Sequence, residues 1–246
     1  MNDDFFSRTE ILLGKEAVAS LISHHILIAG LGGVGSFVAE ALGRIGFTRL
    51  TLLDHDVVSP SNLNRQLVAL QSTLGQSKTQ VMAARLRDIN PQVSLTLWTE
   101  FLQKETAEEF VQEGKFDFVV DCIDTIACKA ALVAACLKLG VPVASSLGAG
   151  NRLDVTQVKV ASLNQTSICP LAREMRAKLR EMGMRTNYPV VYSTELSRPP
   201  LPHQPVESGP TGRPRAVNGT ISYMPALFGM MLAGVVVQRL LSAESG

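Results

Sequence analysis

The chain has 246 residues, 46% of them hydrophobic and 18% charged, and a net charge of +1. That length and balance suit one large globular α/β domain and do not require a second. Near-neutrality excludes a global field drawing the chain to nucleic acid, so any basic surface has to be local.

Apolar positions at Ile11, Leu12, Val18, Leu21 and Ile22 predict a short amphipathic helix over residues 9–22, with Arg8 just before it. Ile26 to Ala29 reads as a buried strand. It runs into Gly30-Leu-Gly-Gly-Val-Gly35, a Gly-x-Gly-x-x-Gly turn that opens a helix ending near Gly46. Glycines let a phosphate approach the backbone, and the helix N-terminus offers it unpaired N–H groups, so Gly30, Gly32, Gly33 and Gly35 predict nucleotide binding. The next strand, Leu50 to Leu53, ends on Asp54, where a ribose-binding acid belongs in a βαβ unit. The polar stretch Val57 to Gln66 is long for a strand–helix connection and sets Asn62, Asn64 and Gln66 around Arg65. A helix follows from about Gly75 to Ile89 with Lys78 in its first turn, an awkward place for a cation unless an anion sits beside it.

Strands at 93–98, 116–121 and 141–145 alternate with helices at 104–113 and 127–140, so residues 26–145 predict a doubly wound, mainly parallel sheet. Gly30, Asp54 and Asp124 fall at the carboxyl ends of its strands, where such folds place their ligands. From 146 onward the pattern changes to an antiparallel extension. It comprises an alternating strand over 154–162, a helix over 167–184 carrying Arg173, Arg176, Lys178 and Arg180, a crossover loop over 186–219 with seven of the twelve prolines and a short strand near 190–193, and an apolar C-terminal helix. The apolar run Tyr223 to Val237, at 15 residues, is shorter than the ~20 a membrane span needs and reads as a buried core helix.

A hydride-transfer enzyme also uses the glycine turn and the acid, but it leaves Arg65, Lys78 and Asp124 without a task. A triphosphate brings about four negative charges that cations or a metal must offset. Arg65 suits bidentate contact with phosphate oxygens, Lys78 supplies a compact charge, and Asp124 suits Mg²⁺ held between phosphates.

Gly30-Leu-Gly-Gly-Val-Gly35, Leu53-Asp-His-Asp56, Asn62-Leu-Asn-Arg-Gln66, Gly75-x-x-Lys78 and Asp121-Cys-Ile-Asp124, in this order, resemble the adenylating family that activates ubiquitin-like proteins and bacterial sulfur carriers. The resemblance covers about residues 8–165. It implies a Rossmann-like fold and ATP and Mg²⁺ as cofactors, with the enzyme directing a carboxylate onto ATP to give an acyl-adenylate and pyrophosphate. It places Asp54 on the ribose, Asp56 beside the nucleotide, Asn62, Arg65, Gln66 and Lys78 around the phosphates, and Asp124 on the metal. It further implies a homodimer in which Arg8 reaches into the partner's site.

Sulfur-carrier activators in that family carry two Cys-x-x-Cys zinc pairs, whereas Cys122, Cys128, Cys136 and Cys169 form none, so no zinc is expected. No cysteine follows residue 169, so transfer to a crossover-loop thiol is not expected either. Ile11-Leu-Leu-Gly-Lys15, Gly148-Ala-Gly150 before Asp154-Val-Thr-Gln-Val158, and Asn218-Gly-Thr-Ile-Ser-Tyr-Met-Pro225 resemble one branch that passes the acyl group to no thiol. That branch dehydrates threonylcarbamoyladenosine in tRNA: the adenylated carboxyl is attacked by the carbamoyl group of the same side chain. The likeness implies tRNA as substrate, with Arg173, Arg176, Lys178 and Arg180 as contacts beside Arg213 and Arg215. It also points to a monovalent cation (Na⁺ or K⁺) and leaves room for a sulfur-transfer protein partner. The alternative is the C-terminal carboxylate of a ubiquitin-like or sulfur-carrier protein as substrate. The absence of a leader and the cysteine usage make a cytoplasmic location the expectation.

Overall fold

The computed structural model describes residues 5–199, 201–204 and 215–244. It opens on two helices, α1 (Ser7–Leu13) and α2 (Lys15–Ser23), where one was expected. Gly14 between them takes φ +85°, outside the right-handed helical region, and breaks the run. Strand and helix then alternate through β1 (His25–Ala29), α3 (Gly35–Ile45), β2 (Arg49–Leu53), α4 (Lys78–Ile89), β3 (Ser94–Trp98), α5 (Ala107–Gly114), β4 (Phe118–Asp121), α6 (Ile126–Leu139) and β5 (Val143–Ser146). The remainder comprises β6 (Val158–Ser162), α7 (Pro170–Glu181), β7 (Pro189–Ser193), β8 (Leu201–Gln204), β9 (Arg215–Val217) and α8 (Tyr223–Glu244).

Seven strands form one sheet in the order β3-β2-β1-β4-β5-β7-β6. All run parallel except β6, which pairs antiparallel with β7. The chain winds from β1 out to β3, then returns to β4 and winds the other way, so the order reverses between β1 and β4. A crevice opens at such a switch, beyond the carboxyl ends of the two strands. Ala29 pairs with both Leu53 and Asp121, which brings the residues that follow each strand out side by side.

Helices cover both faces, and the strands alternate between two cores. Ile26, Ile28, Phe118 and Val120 pack with Val38, Leu42, Met82 and Leu86 on one side, while Leu27, Ala29 and Val119 pack with Val111, Leu132, Cys136 and Met175 on the other. This two-sided burial explains why the strands read as continuous apolar runs.

The C-terminal helix has 22 residues, not 15. Over Tyr223–Ala243, with mean hydropathy 1.7, it is long and apolar enough to cross a membrane, so shortness does not argue against a span. Packing accounts for one of its faces. Met224, Phe228, Leu232, Val236 and Leu240 are buried in the first core, each such side chain contributing ~1.5–3 kcal/mol. A Cβ at Gly229 would lie 2.5 Å from the Val34 carbonyl oxygen, so the bare glycine lets α8 approach the start of α3. The Pro-rich segment also holds more structure than one strand, since β8 and β9 pair antiparallel. Arg213 lies outside the described residues.

Candidate active site

The glycine turn is enclosed by backbone. Gly30 has φ +90°, and a Cβ there would meet the Cys122 carbonyl oxygen at 2.9 Å. A Cβ at Gly35 would lie only 1.7 Å from the Gly30 carbonyl oxygen. Gly33 is flanked by Pro225 of α8 and the Arg65 stem, and Gly32 faces Gln66. The result is a bare, fixed loop at the N-terminus of α3, the geometry that receives phosphate oxygens.

Asp54 anchors that loop. Its carboxylate accepts hydrogen bonds from the Leu31 N–H at 2.6 Å and the Asp56 N–H at 2.9 Å, so the acid at the end of β2 fixes the turn after β1. The polar connection then folds back on itself. Val57 bridges Ser77, and the Lys78 N–H donates to the Asp56 carbonyl at 3.1 Å. Lys78 is buried, with its ammonium 2.7 Å from the Asp56 carboxylate, and that carboxylate offsets the cation at the start of α4. A 3₁₀ turn over Pro60–Asn62 is held by the Ser59 N–H donating to Asn62 Oδ1 at 3.1 Å. Arg65 is half-buried and donates to the Ser61 carbonyl and Asn64 Oδ1. Burial lowers its affinity for a proton, and Asp124 across the crevice partly restores it. Gln66 is buried, and its Oε1 has no partner among the described residues.

The β4 side rests on a fully buried ion pair. Lys129 of α6 lies 2.8 Å from Asp121, with neither side chain exposed. The Asp121 carboxylate also accepts from the Ser145 hydroxyl at 2.6 Å and the Ile123 N–H at 3.1 Å, while Lys129 donates to the Ile123 carbonyl at 3.1 Å. Burial pushes the Asp121 carboxyl up, against the pull of Lys129. These bonds clamp the turn that presents Asp124.

Asp124 is exposed and lines the cavity. The described residues also gather Asp54, His55 and Asp56 at metal-binding spacing. There, however, Asp54 already accepts two N–H bonds and Asp56 the Lys78 ammonium. The Asp124 carboxylate, which lines the cavity, fits an ion such as Mg²⁺, whose other ligands are phosphate oxygens and water.

One cavity of about 680 Å³ joins these parts, lined by Gly30, Gly32, Gly33, Asp54, Asp56, Asn62, Arg65, Gln66, Lys78 and Asp124. Gly35 shapes the turn from behind. Arg8, exposed on α1, does not line the cavity of its own chain. Of the α7 cations, Arg173 and Arg180 are exposed and Lys178 is half-buried. Arg176 instead donates to the Leu163 carbonyl, the Thr166 carbonyl and the Thr166 hydroxyl, which ties α7 to the preceding loop.

The far wall joins the Gly148–Gly150 turn to Asn218, two segments that the sequence marks as points of family likeness without giving them a place in the site. Asn151, at φ +60°, donates its N–H to the Gly219 carbonyl, accepts from the Gly219 N–H on its side chain and donates from that side chain to Asn218. Asn64 donates to the Thr220 carbonyl, which ties this wall to the Arg65 loop. Two of the thiols in and near the cavity are poor nucleophiles. Burial pushes Cys122 far above the usual thiol range and Cys136 up to about 12, and Cys128 and Cys169 are buried.

A doubly wound sheet with a glycine-turn nucleotide crevice and a row of cations and amides at the phosphate end defines a nucleotide-binding α/β enzyme fold. The ThiF family model matches residues 6–245, and the chain belongs to the ThiF family. It is 38% identical over 243 residues to the tRNA threonylcarbamoyladenosine dehydratase of Bacillus subtilis, covering 96% of this chain and 94% of that one. Crystal structures of the Escherichia coli tRNA N6-threonylcarbamoyladenosine dehydratase, TcdA, superpose on 98% of this chain and 96% of theirs at 31% identity. The TM-score is 0.87 for the complex with AMP and 0.86 for that with ATP. The sulfur carrier protein ThiS adenylyltransferase of E. coli is 36% identical over 162 residues, 63% of this chain and 64% of that one.

Proposed function

We propose that this protein catalyses the ATP-dependent dehydration of threonylcarbamoyladenosine in tRNA through a carboxyl-adenylate. The observation that carries this reading is the near full-length likeness, in sequence and in fold, to dehydratases of that name, one of them crystallised with ATP. Likeness to the ThiS adenylyltransferase stops at about two thirds of the chain, and the MOCS3 adenylyltransferase and sulfurtransferase of Drosophila virilis, although alike over 92% of this chain, is matched over only 45% of its own length.

The α3 N-terminus and the glycine turn receive the phosphates, and Asp54 faces the ribose. Asn62, Arg65, Gln66 and Lys78 surround the phosphate chain; the loosely tethered Arg65 guanidinium is suited to an anionic ligand. Lys78 exchanges the Asp56 carboxylate for a phosphate oxygen. Asp124 would hold Mg²⁺, which when bound neutralises phosphate charge. A threonyl carboxylate oxygen attacks the α-phosphorus and pyrophosphate leaves. The carbamoyl group of the same side chain then closes on the activated carbonyl and expels AMP. Because both groups belong to one substituent, ring closure gains a large effective molarity.

Ile11 and Leu12, 80% and 81% exposed on α1 beside Arg8, are the apolar patch expected at a homodimer face that delivers Arg8 to the partner's cavity. Arg173 and Arg180, seven residues apart on one exposed side of α7, offer tRNA phosphates a basic helix face, and Lys178 adds a charge on another side. A tRNA substrate sets the reaction in the cytoplasm. A monovalent cation (Na⁺ or K⁺) and a sulfur-transfer partner belong to the same reading. Mass spectrometry of tRNA nucleosides after incubation with ATP and Mg²⁺ tests it. The threonylcarbamoyl nucleoside should become lighter by one water with the wild type, but not with Arg65→Ala or Asp124→Ala. Unchanged tRNA, with ATP–pyrophosphate exchange driven by a Gly-Gly-ended protein instead, would favour the carrier reading.

A further inference from the structure

The wall facing the phosphates carries a cation that no role above employs. Arg152 follows the Gly148–Gly150 turn, is 3% exposed and lines the shared cavity. Its Nη1 donates to the Gly148 carbonyl and, at 3.5 Å, to that of Gly150, and its Nε donates to the Glu195 carbonyl at 3.3 Å. Nη2 is closed off from solvent and has no acceptor among the described residues. No carboxylate pairs with this guanidinium among the described residues.

The nearby acids are turned elsewhere. Glu195 accepts from the Leu153 and Asp154 N–H groups, and Asp154 from Thr156 and Gln157. A guanidinium stays charged at any physiological pH, and neutral carbonyls only partly offset the loss of its water. Asn151, pinned to Asn218 and Gly219, keeps the turn from relaxing around it. The protein therefore maintains a preorganised, buried positive charge without a counter-anion among the described residues, on the wall that the Gly148–Gly150 turn contributes to the cavity.

We propose that Arg152 forms the anion subsite for the carboxylate of the acyl substrate, holding that group toward the α-phosphorus. The inference rests on the adenylating reading above and adds the residue that recognises the acid. Arg–carboxylate pairing is charge-assisted and directional, which suits a group that must present one oxygen to phosphorus and keep the other fixed.

The test uses an anticodon stem–loop RNA carrying threonylcarbamoyladenosine, the same RNA with that carboxylate as its methyl ester, and the unmodified RNA. Each is bound to the full-length protein with a non-hydrolysable ATP analogue present and followed by fluorescence anisotropy. The wild type should prefer the acid over the ester by about tenfold, Arg152→Gln should bind both alike, and Arg152→Lys should keep part of the preference. Affinity for the ATP analogue should be equal in all three proteins. Retained preference in Arg152→Gln, or an equal loss for RNA and nucleotide, would overturn the subsite. Should Arg152→Gln fail to fold, a reduced preference in Arg152→Lys together with a smaller thermal shift on adding the acid RNA supports it, and an unchanged preference in that variant, or no preference in the wild type, overturns it. A wild type that treats modified and unmodified RNA alike would remove the tRNA reading itself, and the subsite with it.

Discussion

The two walls of the cavity are built in different ways. The phosphate wall, from the glycine turn through Asp54 to Lys78, is made of short local segments at the ends of adjacent parallel strands, and its conformation is fixed by sterics that leave no latitude. The opposite wall, from Gly148 through Asn218, is stitched together by side chains far apart in the chain: Asn151 with Asn218, Arg152 with Glu195, Asn64 with Thr220. The first wall is fitted to a ligand common to many adenylating enzymes. On the proposed reaction the second is where a particular acyl group has to be distinguished, and its contacts reach across 43 to 156 residues of chain.

The strongest way to break this contrast is one methyl group on each wall. Gly35→Ala would set a Cβ 1.7 Å from the Gly30 carbonyl, so the turn must open, at a cost above ~3 kcal/mol. ATP binding, read by titration of a fluorescent analogue, should be lost. Gly150→Ala meets Asn218 at no less than 3.2 Å and should leave ATP binding intact while weakening the RNA substrate. Equal losses from both would erase the distinction.

Next in size is the clamp beneath Asp124. Lys129→Met strands a buried carboxylate at Asp121, and thermal unfolding should show a loss of ~3–5 kcal/mol. Because burial already pushes the Asp121 carboxyl up, the variant should become less stable as pH rises and the lone acid is forced to ionise. Adding Asp121→Asn should recover much of the loss and remove that pH dependence.

The smallest effect concerns the back of the phosphate wall, where Glu40 of α3 bonds Arg44 at 2.7 Å and Arg85 of α4 at 2.6 Å. Burial tends to raise the Glu40 carboxyl, but the two arginines outweigh it and hold it below its ordinary value. The associated stability is therefore present above the ordinary glutamate range and lost as pH falls through the lower folded-state value. Melting temperatures of wild type and Glu40→Gln should differ at pH 7, by the equivalent of about 1 kcal/mol, and converge in acid.

Local chemistry was legible in the sequence; long-range assembly was not. The glycine turn, Asp54 and the strand alternation announce themselves because strand period and turn sterics act over a few residues. The awkward cation at Lys78 rightly pointed to a nearby anion, although Asp56 supplies it by a fold-back no spacing rule reveals. The break at Gly14 follows from a positive φ that a glycine inside an amphipathic pattern only hints at. Arg176 could have been separated from its neighbours: Ala172, Met175 and Leu179 form the buried stripe of α7, and residue 176 falls on that stripe while Arg173 and Arg180 do not. Arg152 gave no such sign. Its partner Glu195 lies 43 residues away, and a lone arginine after a Gly-Ala-Gly turn reads as a solvated charge. The length of α8 was underestimated because Gln238 and Arg239 end the apolar run without ending the helix.

The reaction proposed here makes a sharp demand on one oxygen atom. If the substrate carboxylate attacks the α-phosphorus, the water lost from the nucleoside leaves inside AMP. Transfer RNA whose threonylcarbamoyl carboxylate carries ¹⁸O, incubated with this enzyme, ATP and Mg²⁺, should therefore give AMP bearing one ¹⁸O per ring closed. Unlabelled AMP, or release of ADP with the label in inorganic phosphate, would contradict the acyl-adenylate and the cavity geometry assigned to it.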